Sequence, residues 1–312
     1  MQKLPKIVVV LGPTGSGKTD LGIALAKQFN GEIISADSRQ IYKDMRIGTA
    51  KPAGVWRDGK YWLEGVPHYM MDIVRPDANY TLTDFKTQAD AIIKDILERG
   101  KLPIIVGGTG LYIWAVVENL DIPAIAPDAG LRADLEAVPL VELAKKLLQI
   151  DPVTAGKIDL KNPRRVLRAI EVCLGSGASF SEQRRRKKPL YQVLQIGLEW
   201  PREELDARIN LRAELMMDAG LLAEVQRLSV DYATNAQEKS VWDLVSMSGI
   251  GYRQMGYHLR GEMDLPAAVE LLKRDTRRYA KRQMTWFKRD KSIKWLLKAD
   301  QVAARKLVED FL

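Results

Sequence analysis

Eight residues near the start of the chain constrain the fold more than any other feature of the sequence. Residues 12–19 read GPTGSGKT and match the phosphate-binding pattern GxxxxGK[ST] at every position. An apolar run, KIVVVL at 6–11, precedes them, and a helical pattern, TDLGIALAKQF, follows them. We therefore predict a strand, a phosphate loop and a helix in that order. The predicted phosphate-binding site comprises Gly12, Pro13, Thr14, Gly15, Ser16, Gly17, Lys18 and Thr19.

The residue types in this loop suit a phosphate ligand. Glycines allow backbone N–H groups to converge on phosphate oxygens, and the N-terminus of the following helix adds partial positive charge. Lys18 supplies a full charge, and Thr19 offers a hydroxyl to Mg²⁺, which makes Thr19 the candidate metal ligand. The motif predicts binding of a di- or triphosphate without saying which one.

The next segments predict an α/β fold. We expect strands at 32–36 and 102–106, with a helix at 84–98 between them. Strands that alternate with helices form parallel sheets covered by helices on both faces. A P-loop NTPase-like parallel sheet is therefore the predicted core.

A mainly helical segment interrupts this core. Residues 128–174 show helical patterning without a convincing strand, and residues 192–200 return to strand character. We predict a helical insertion domain at 126–189, set within an α/β core formed by 1–125 and 190–312.

Several helix ends are marked in the sequence. Asp151 and Asn162 each precede a proline, as an N-cap precedes a proline at the first helical position. Gly175 is predicted to cap a helix at its C-terminus. Further on we expect one long helix at 202–229 and a basic helix at 266–289.

The formal net charge is +8, and the positive charges are clustered. Residues 184–188 read RRRKK, and many lysines and arginines crowd the segment from Lys273 to Arg289. A high net charge serves solubility in many proteins. Clustering favours a polyanionic partner, in particular a nucleic acid.

Other features of the composition indicate the compartment. The single cysteine, Cys173, cannot form an intrachain disulfide, which agrees with a reducing cytosol. No apolar run reaches the roughly 18 residues of a membrane helix. The first residues are too short an apolar run for a signal peptide. We expect a cytoplasmic protein with no membrane partner and no obligate protein partner.

Two polar residues are expected beside the phosphate loop. Asp37 follows the predicted strand 32–36, and Thr109 follows the strand 102–106. Ligands of open parallel sheets bind outside the C-terminal ends of the strands, so both residues should face the loop. The alternative interpretations are a turn or N-cap residue for Asp37 and a loop spacer for Thr109.

Seven segments, in order along nearly the whole chain, carry a resemblance to a known family. They are GPTGSGKT (12–19), SADSRQIY (35–42), IGTAKP (47–52), VGGTGLY (106–112), NPRRVLRAIEV (162–172), GIGYRQM (249–255) and RRYAKRQMTWFK (277–288). Together these segments resemble bacterial tRNA dimethylallyltransferases. GPTGSGKT alone is shared with many kinases, whereas the combination with DSRQ, GGTGLY and KRQMTWF is highly specific.

The resemblance implies a reaction. The phosphate loop, with Lys18, would hold the pyrophosphate of dimethylallyl diphosphate, with Mg²⁺ at Thr19 as cofactor. The dimethylallyl group would move to N6 of the adenosine on the 3′ side of the anticodon in tRNA. Asp37 would be the general base, with Thr109 beside the reacting groups. Arg208 and Arg212, one helical turn apart, would add positive charge at the pyrophosphate, or else form a solvated helix face.

The resemblance also assigns residues to the two substrates. Candidate tRNA contacts, apart from Asp37 itself, are Ser38, Arg39, Gln40, Arg132, Lys161, Asn162, Pro163, Arg164, Arg165, Ser248, Gly249, Ile250, Gly251, Tyr252 and Arg253. Residues expected near the donor are Lys281, Arg282, Gln283 and Trp286. The aromatic residues of this last segment also fit core packing.

Three other functions remain open from the sequence. A P-loop kinase of a small metabolite or nucleoside would use the same phosphate loop. A prenyltransferase of free adenine nucleotides would share the chemistry but would need no basic RNA surface. A nucleotide-switched RNA-binding protein would have no use for a base such as Asp37 at the loop.

Overall fold

The computed structural model describes residues 4–122, 129–176, 179, 187–233 and 240–312. Arg184, Arg185 and Arg186 of the predicted basic cluster lie outside these residues. The chain divides into two compact units. The first comprises Met1–Ile113 and Leu190–Leu312, and the second comprises Trp114–Pro189. The second unit thus begins at Trp114, within a helix, whereas the predicted insertion begins at residue 126.

The first unit is built on a mostly parallel sheet. Within the described residues its order is β3-β4-β5-β2-β6-β1-β7-β8. In this order, the neighbouring strands β5-β2-β6-β1-β7-β8 all pair in parallel. β3 and β4 form an antiparallel hairpin at one edge, and β4 pairs antiparallel with β5. The strands are β1 (Lys6–Leu11), β2 (Gly31–Ala36), β3 (Val55–Arg57), β4 (Lys60–Leu63), β5 (Val66–Tyr69), β6 (Leu102–Gly107), β7 (Gln192–Glu199) and β8 (Lys294–Leu297).

The apolar run that opens the chain forms a central strand. β1 pairs with β6 on one side and with β7 on the other, so that Val8 lies opposite both Ile104 and Leu194. Ile7 to Leu11 have no exposed surface. A strand buried on both faces requires a continuous apolar sequence. The strand is therefore predictable from the sequence although apolar and polar residues do not alternate along it. The predicted α/β fold is confirmed.

Helices flank the strands in chain order. Ahead of the second unit are α1 (Lys18–Gln28), α2 (Leu82–Glu98) and α3 (Gly110–Val117), the last of which continues into that unit. After β7 come α8 (Arg202–Asp218), α9 (Leu221–Asp231), a 3₁₀ turn (Val241–Asp243), α10 (Tyr252–Leu259), α11 (Leu265–Phe287) and α12 (Gln301–Phe311). No helix in the described part of the chain combines the length and apolar character needed to cross a membrane.

The described part of the second unit is helical. Its helices continue from α3 with α4 (Ala129–Glu136), α5 (Leu140–Ile150), α6 (Pro152–Ala155) and α7 (Pro163–Ser176). Their apolar faces meet in a core that includes Leu143, Leu147 and Ile170. Both predicted N-caps are confirmed. Asp151 Oδ1 accepts the Thr154 N–H at 2.9 Å, and Asn162 Oδ1 accepts the Arg165 N–H at 3.3 Å.

Two helix predictions were wrong. The single helix expected at 202–229 is two helices, because Gly220 adopts a left-handed φ of 93° and starts α9 in a new direction. Gly175 does not follow the end of a helix, since α7 continues to Ser176.

The hairpin at the sheet edge was not predicted. Asp58 and Gly59, between β3 and β4, both have positive φ values, 51° and 71°. Asp-Gly is a strong signal for a two-residue hairpin turn, and this signal could have revealed the hairpin. It lies in the segment 53–65, ahead of β5.

Candidate active site at the phosphate loop

The phosphate loop joins β1 to α1 at the C-terminal edge of the sheet. Gly15 and Gly17 both have φ of 85°, a conformation that favours glycine, and Gly17 caps α1. The N-terminus of α1 borders a cavity of about 220 Å³, and Thr14, Gly15, Gly17, Lys18 and Thr19 form part of its lining. Because helix N-termini attract anions, this end of the cavity suits a phosphate group.

Lys18 brings an ammonium group to the cavity, and the pKa of this group depends on its surroundings. Its Nζ donates a hydrogen bond to the Pro13 carbonyl at 3.2 Å. Burial lowers the pKa of Lys18 to about 8, although the nearby Asp37 carboxylate raises it in part and Arg212 lowers it further. The negative charge that the protein places near Lys18 is therefore too weak to offset its burial. A bound anion would raise the pKa of Lys18 and keep it positively charged.

Arg208 and Arg212 reach the phosphate loop from α8. Arg208 Nε donates to the Gly15 carbonyl at 2.8 Å, and Arg212 Nη1 donates to Thr14 Oγ1 at 3.2 Å. Burial lowers the pKa of Arg212, and the neighbouring Arg208 lowers it further. Both arginines line the same cavity as Lys18. The structure thus brings these cations, predicted from distant parts of the sequence, to one cavity beside the phosphate loop.

Trp200 is a site residue that the sequence did not reveal. Its indole Nε1 donates to the Ser16 carbonyl at 3.0 Å, and the Arg208 guanidinium stacks 4.4 Å from its ring. The indole therefore supports both the loop and one of its cations. Its position directly after β7 is the only sequence signal for this role.

Asp37 lies at the C-terminal end of β2 and lines the cavity. Its Oδ1 accepts backbone N–H bonds from Arg39 at 2.9 Å and from Gln40 at 3.4 Å. The turn interpretation of Asp37 is therefore correct as far as it goes, but the same carboxylate also faces the phosphate site. A carboxylate next to a phosphate cradle is suited to accept a proton from a bound substrate.

Thr109 contacts the turn that follows Asp37. Its Oγ1 accepts the Ser38 N–H at 3.0 Å and lies 3.3 Å from Ser38 Oγ. Tyr279, from α11, bonds to the Thr109 side chain. Burial raises the pKa of Tyr279 to about 12, and the Asp37 charge adds to this effect. Tyr279 therefore keeps a neutral hydroxyl close to the Asp37 carboxylate.

Gln40 holds one wall of the cavity. Its Nε2 donates to the carbonyls of Thr49 and Ala50, both at 3.3 Å. Thr49, Ala50 and Pro52 form this wall, which was not predicted as part of the site. The lining residues that the sequence did not single out are Asp20, Ile33, Ser35, Thr49, Ala50, Pro52, His68, Met71, Val106 and Gly107.

The predicted donor-site residues of α11 fall into two groups. Gln283 is buried and bonds to the phosphate loop through the Thr14 N–H, and Trp286 packs against Gly110 too closely to admit a Cβ atom. Lys281 and Arg282 are exposed, with Arg282 stacked 5.8 Å from the Tyr279 ring. Among the other basic residues, Lys273 is paired with Glu214 and Glu270.

The predicted RNA segment 248–253 contacts the turn after Asp37. Arg39 donates to the Val245 carbonyl at 2.6 Å and to Ser248 Oγ at 3.4 Å. Arg253 pairs with Asp275 at 2.8 Å, and the Gly251 N–H bonds to Gln254. Arg39, Gln40 and the 248–253 segment are therefore brought together in the first unit.

The remaining predicted RNA contacts belong to the second unit. Lys161, Arg164 and Arg165 are exposed at the start of α7, next to the cap residue Asn162. Arg132 forms an ion pair with the buried Glu171 at 2.8 Å, so it also supports the core of this unit.

The fold and the cavity define a class. A parallel sheet, a GxxxxGK[ST] loop, converging cations and a facing carboxylate describe a P-loop α/β protein equipped for a reaction at a phosphate ester or diphosphate.

Comparisons with known proteins identify the family. The model of the family described as IPP transferase matches residues 40–290, and that of isopentenyl transferase matches residues 5–59. The chain is similar to the tRNA dimethylallyltransferases of Acetivibrio thermocellus and Pelotomaculum thermopropionicum. It is 43% identical to the first over 98% of this chain and 96% of the relative, and 44% identical to the second over 94% and 91%. The chain belongs to the IPP transferase family.

Solved structures agree. A tRNA isopentenylpyrophosphate transferase from Bacillus halodurans is 38% identical, with a TM-score of 0.69, over 98% of this chain and 94% of that one. A eukaryotic dimethylallyltransferase acting on tRNA is 30% identical, with a TM-score of 0.78, over 98% of this chain and 79% of that one. The predicted resemblance to bacterial tRNA dimethylallyltransferases is confirmed.

Proposed function

We propose that this protein transfers the dimethylallyl group of dimethylallyl diphosphate to N6 of the adenosine on the 3′ side of the anticodon in tRNA. The observation that carries the proposal is the cavity in which the phosphate loop meets Asp37. A nucleotide-switched RNA-binding protein needs only the cradle, whereas a transferase that alkylates an amine also needs a base beside it.

The diphosphate end of the donor fits the phosphate loop. Lys18, Arg208 and Arg212 line the cavity around the N-terminus of α1. When the bond between C1 and the bridging oxygen breaks, negative charge accumulates on the leaving pyrophosphate. Fixed cations and N–H groups stabilise that charge without reorganising, which lowers the barrier.

Asp37 would accept the proton. The N6 lone pair forms the new bond to C1 while the electrons of the C1–O bond leave with pyrophosphate. The nitrogen then carries an excess proton, which passes to the Asp37 carboxylate. The two N–H bonds to Oδ1 hold this carboxylate in place for the transfer.

The residues present fit Mg²⁺. Thr19 contributes a hydroxyl to the cavity lining, next to the site for the diphosphate oxygens. The described residues contain no group of three or more His, Cys, Asp or Glu side chains arranged to hold a metal ion. Thr19 would hold Mg²⁺, an ion that proteins often bind through few side chains together with substrate phosphates. The ion would neutralise charge on the diphosphate.

The RNA contacts are assigned to two places. In the first unit, Ser38, Arg39, Gln40 and the segment 248–253 lie beside the turn that carries Asp37. In the second unit, the exposed and positively charged side chains of Lys161, Arg164 and Arg165 lie at the start of α7. The target base must leave its stack to reach Asp37, as in other enzymes that modify a base.

A transfer assay tests the proposal. The protein is incubated with Mg²⁺, unmodified tRNA and dimethylallyl diphosphate labelled in the prenyl group. The matched control is the same tRNA with guanosine in place of the target adenosine. Parallel reactions replace tRNA by free AMP, or replace the donor by ATP labelled in the γ-phosphate.

Each product has a distinct meaning. Label in the adenosine tRNA and not in the guanosine tRNA is the expected result. Label in AMP alone would identify a nucleotide prenyltransferase. Transfer or release of the γ-phosphate without any prenyl product would identify a kinase or NTPase.

A further inference from the structure

Glu224 is a buried carboxylate outside the phosphate cavity. It lies in the first turn of α9 and is 8% exposed. Its Oε2 accepts the N–H groups of Arg46 and Ile47 at 3.0 and 2.9 Å, and its Oε1 accepts that of Gly48 at 3.1 Å. Three successive N–H groups directed at one carboxylate fix the backbone of this segment, because charged acceptors form the stronger hydrogen bonds.

Tyr252 completes the cluster. Its hydroxyl donates to Glu224 Oε1 at 2.7 Å. Its ring packs directly on Gly48, where a Cβ atom would come within 2.5 Å of the ring carbons. Tyr252 begins α10, immediately after Gly251, so the cluster joins the 248–253 segment to the 46–48 segment.

The 46–48 segment leads directly into the wall of the cavity. Thr49, Ala50 and Pro52 line the cavity. On one side the wall is held by Gln40 through the carbonyls of residues 49 and 50. On the other side it is held by Glu224 through residues 46–48.

This wall differs in chemistry from the phosphate end. Ala50 and Pro52 contribute apolar side chains to the wall beside the hydroxyl of Thr49, and Met71 adds a further apolar side chain to the lining. The phosphate end contributes Lys18, Arg208 and Arg212. A donor with a charged diphosphate and an apolar prenyl group has the same division. The apolar surface is therefore the suitable place for the prenyl group.

We propose that Glu224 is a positioning residue that, together with Tyr252, holds the 46–50 segment so that the cavity wall contacts the prenyl group of the donor. The inference rests on the proposed function and deepens it. It assigns the prenyl group to the wall and leaves the diphosphate to the phosphate loop.

A comparison of two ligands distinguishes an effect on the cavity wall from an effect on the phosphate loop. Affinities for dimethylallyl diphosphate and for inorganic pyrophosphate are measured by calorimetry with Mg²⁺ and without tRNA, so that no turnover occurs. The variants are Tyr252→Phe, which keeps the ring and removes one hydrogen bond, and Glu224→Gln. The matched control is Asp231→Asn, an exposed carboxylate of the same helix that pairs with Arg227.

Tyr252→Phe should weaken dimethylallyl diphosphate binding by about fivefold, the equivalent of one hydrogen bond. Pyrophosphate affinity should change by less than about twofold, because the loop contacts remain. Glu224→Gln should show a larger difference between the two ligands, and Asp231→Asn should show none. The dissociation constant for tRNA is measured in the same variants, because Tyr252 belongs to the segment 248–253 that is assigned to RNA.

Other results would overturn the inference. An equal loss for both ligands would mean that the cluster supports the whole site. Unchanged affinities with a lower melting temperature would make Glu224 structural only. A loss of tRNA affinity with unchanged affinity for dimethylallyl diphosphate would mean that the cluster supports the RNA segment 248–253 and not the cavity wall. Wild-type protein that binds pyrophosphate but shows no preference for dimethylallyl diphosphate would contradict the proposed donor itself.

Discussion

Gln283 accepts the backbone N–H of Thr14 on Oε1 and donates from Nε2 to the Gly108 carbonyl, both at 2.9 Å. One side chain from α11 thereby connects the phosphate loop after β1 to the loop after β6. The two loops belong to neighbouring strands of the sheet. Their spacing, and with it the distance between the diphosphate and the residues after β6, depends on this amide.

Gln283→Leu should disturb both stability and donor binding. The change leaves the Thr14 N–H and the Gly108 carbonyl without their partner, and should lower the free energy of unfolding by about 2 kcal/mol. Urea denaturation measures this, and steady-state kinetics should show a raised KM for the donor. Thr285→Ala, on an exposed turn of the same helix, is the control and should change little. Wild-type stability and KM in Gln283→Leu would contradict the linking role.

Lys18 should give donor binding a dependence on pH. Its pKa is about 8, so Lys18 is charged below that pH and neutral above it. Donor affinity should therefore fall as the pH rises above 8, approaching about tenfold per pH unit. Titration of the donor between pH 7 and pH 10 measures this. Lys18→Ala should bind weakly throughout and lose this alkaline decline. An identical decline in the variant would assign the titration to another group.

Asp37→Asn should strongly slow prenyl transfer and leave the affinity for tRNA nearly unchanged. Loss of a general base slows a reaction by about 100-fold to 10 000-fold. The amide oxygen of asparagine can still accept the Arg39 N–H, so the local turn should persist. Single-turnover transfer and tRNA filter binding measure the two effects. Asp58→Asn, in the exposed hairpin turn, is the control. Turnover that survives Asp37→Asn would show that another group takes the proton.

The exposed arginines at the start of α7 should contribute to tRNA affinity. Arg164→Ala and Arg165→Ala should each weaken tRNA binding and reduce the slope of log affinity against log salt by about one, as expected for one lost phosphate contact. Donor affinity should stay unchanged. Arg305→Ala, at an exposed pair with Glu309, is the control. An unaltered salt slope in the α7 variants would remove these residues from the RNA surface.

Glu32 should make the free energy of unfolding depend on pH in the acid range. This carboxylate is 1% exposed and accepts hydrogen bonds from Arg99, Lys101 and the Tyr69 hydroxyl at 2.6 to 2.7 Å. Burial alone would raise the pKa of Glu32, but these partners outweigh burial and lower it from 4.5 to about 2. Its contribution to stability is therefore complete above pH 4.5 and is lost as the pH falls towards 2.

Glu32→Gln tests this contribution. At neutral pH the variant should lose about 3 kcal/mol, because Arg99 and Lys101 keep their charges without the carboxylate. The difference from wild type should disappear by pH 2. Chemical denaturation at several pH values measures it. Asp95→Asn, at an exposed partner of Arg99, should cost less than about 1 kcal/mol. A pH-independent difference would contradict the ionised state of Glu32.

The parts of the fold that were predictable are those with strong local signals. Long apolar strands such as β1 and β6 and the capped helices of the second unit are encoded within a few residues. β8 is a four-residue strand with exposed ends, and it exists because it pairs with β7 in the sheet. The break at Gly220 required a backbone angle that a helical pattern does not reveal.

The candidate site divides in the same way. The phosphate loop and Asp37 were readable because their residue types and strand context are local. The wall formed by Thr49, Ala50 and Pro52 and the cluster around Glu224 were not, since Glu224 contacts residues more than 170 positions away. Arg208 and Arg212 were named from a family resemblance, and only the tertiary structure brings them to Gly15 and Thr14.

The position of β1 between β6 and β7 has a consequence for biosynthesis. Because translation proceeds from the N-terminus, β1 and the phosphate loop emerge first, whereas β7 follows only after the whole second unit has been made. Until then β1 presents an unpaired apolar edge, the kind of edge that promotes aggregation of nascent chains. A chain that ends at residue 189 would keep that edge permanently, so truncation there should promote aggregation.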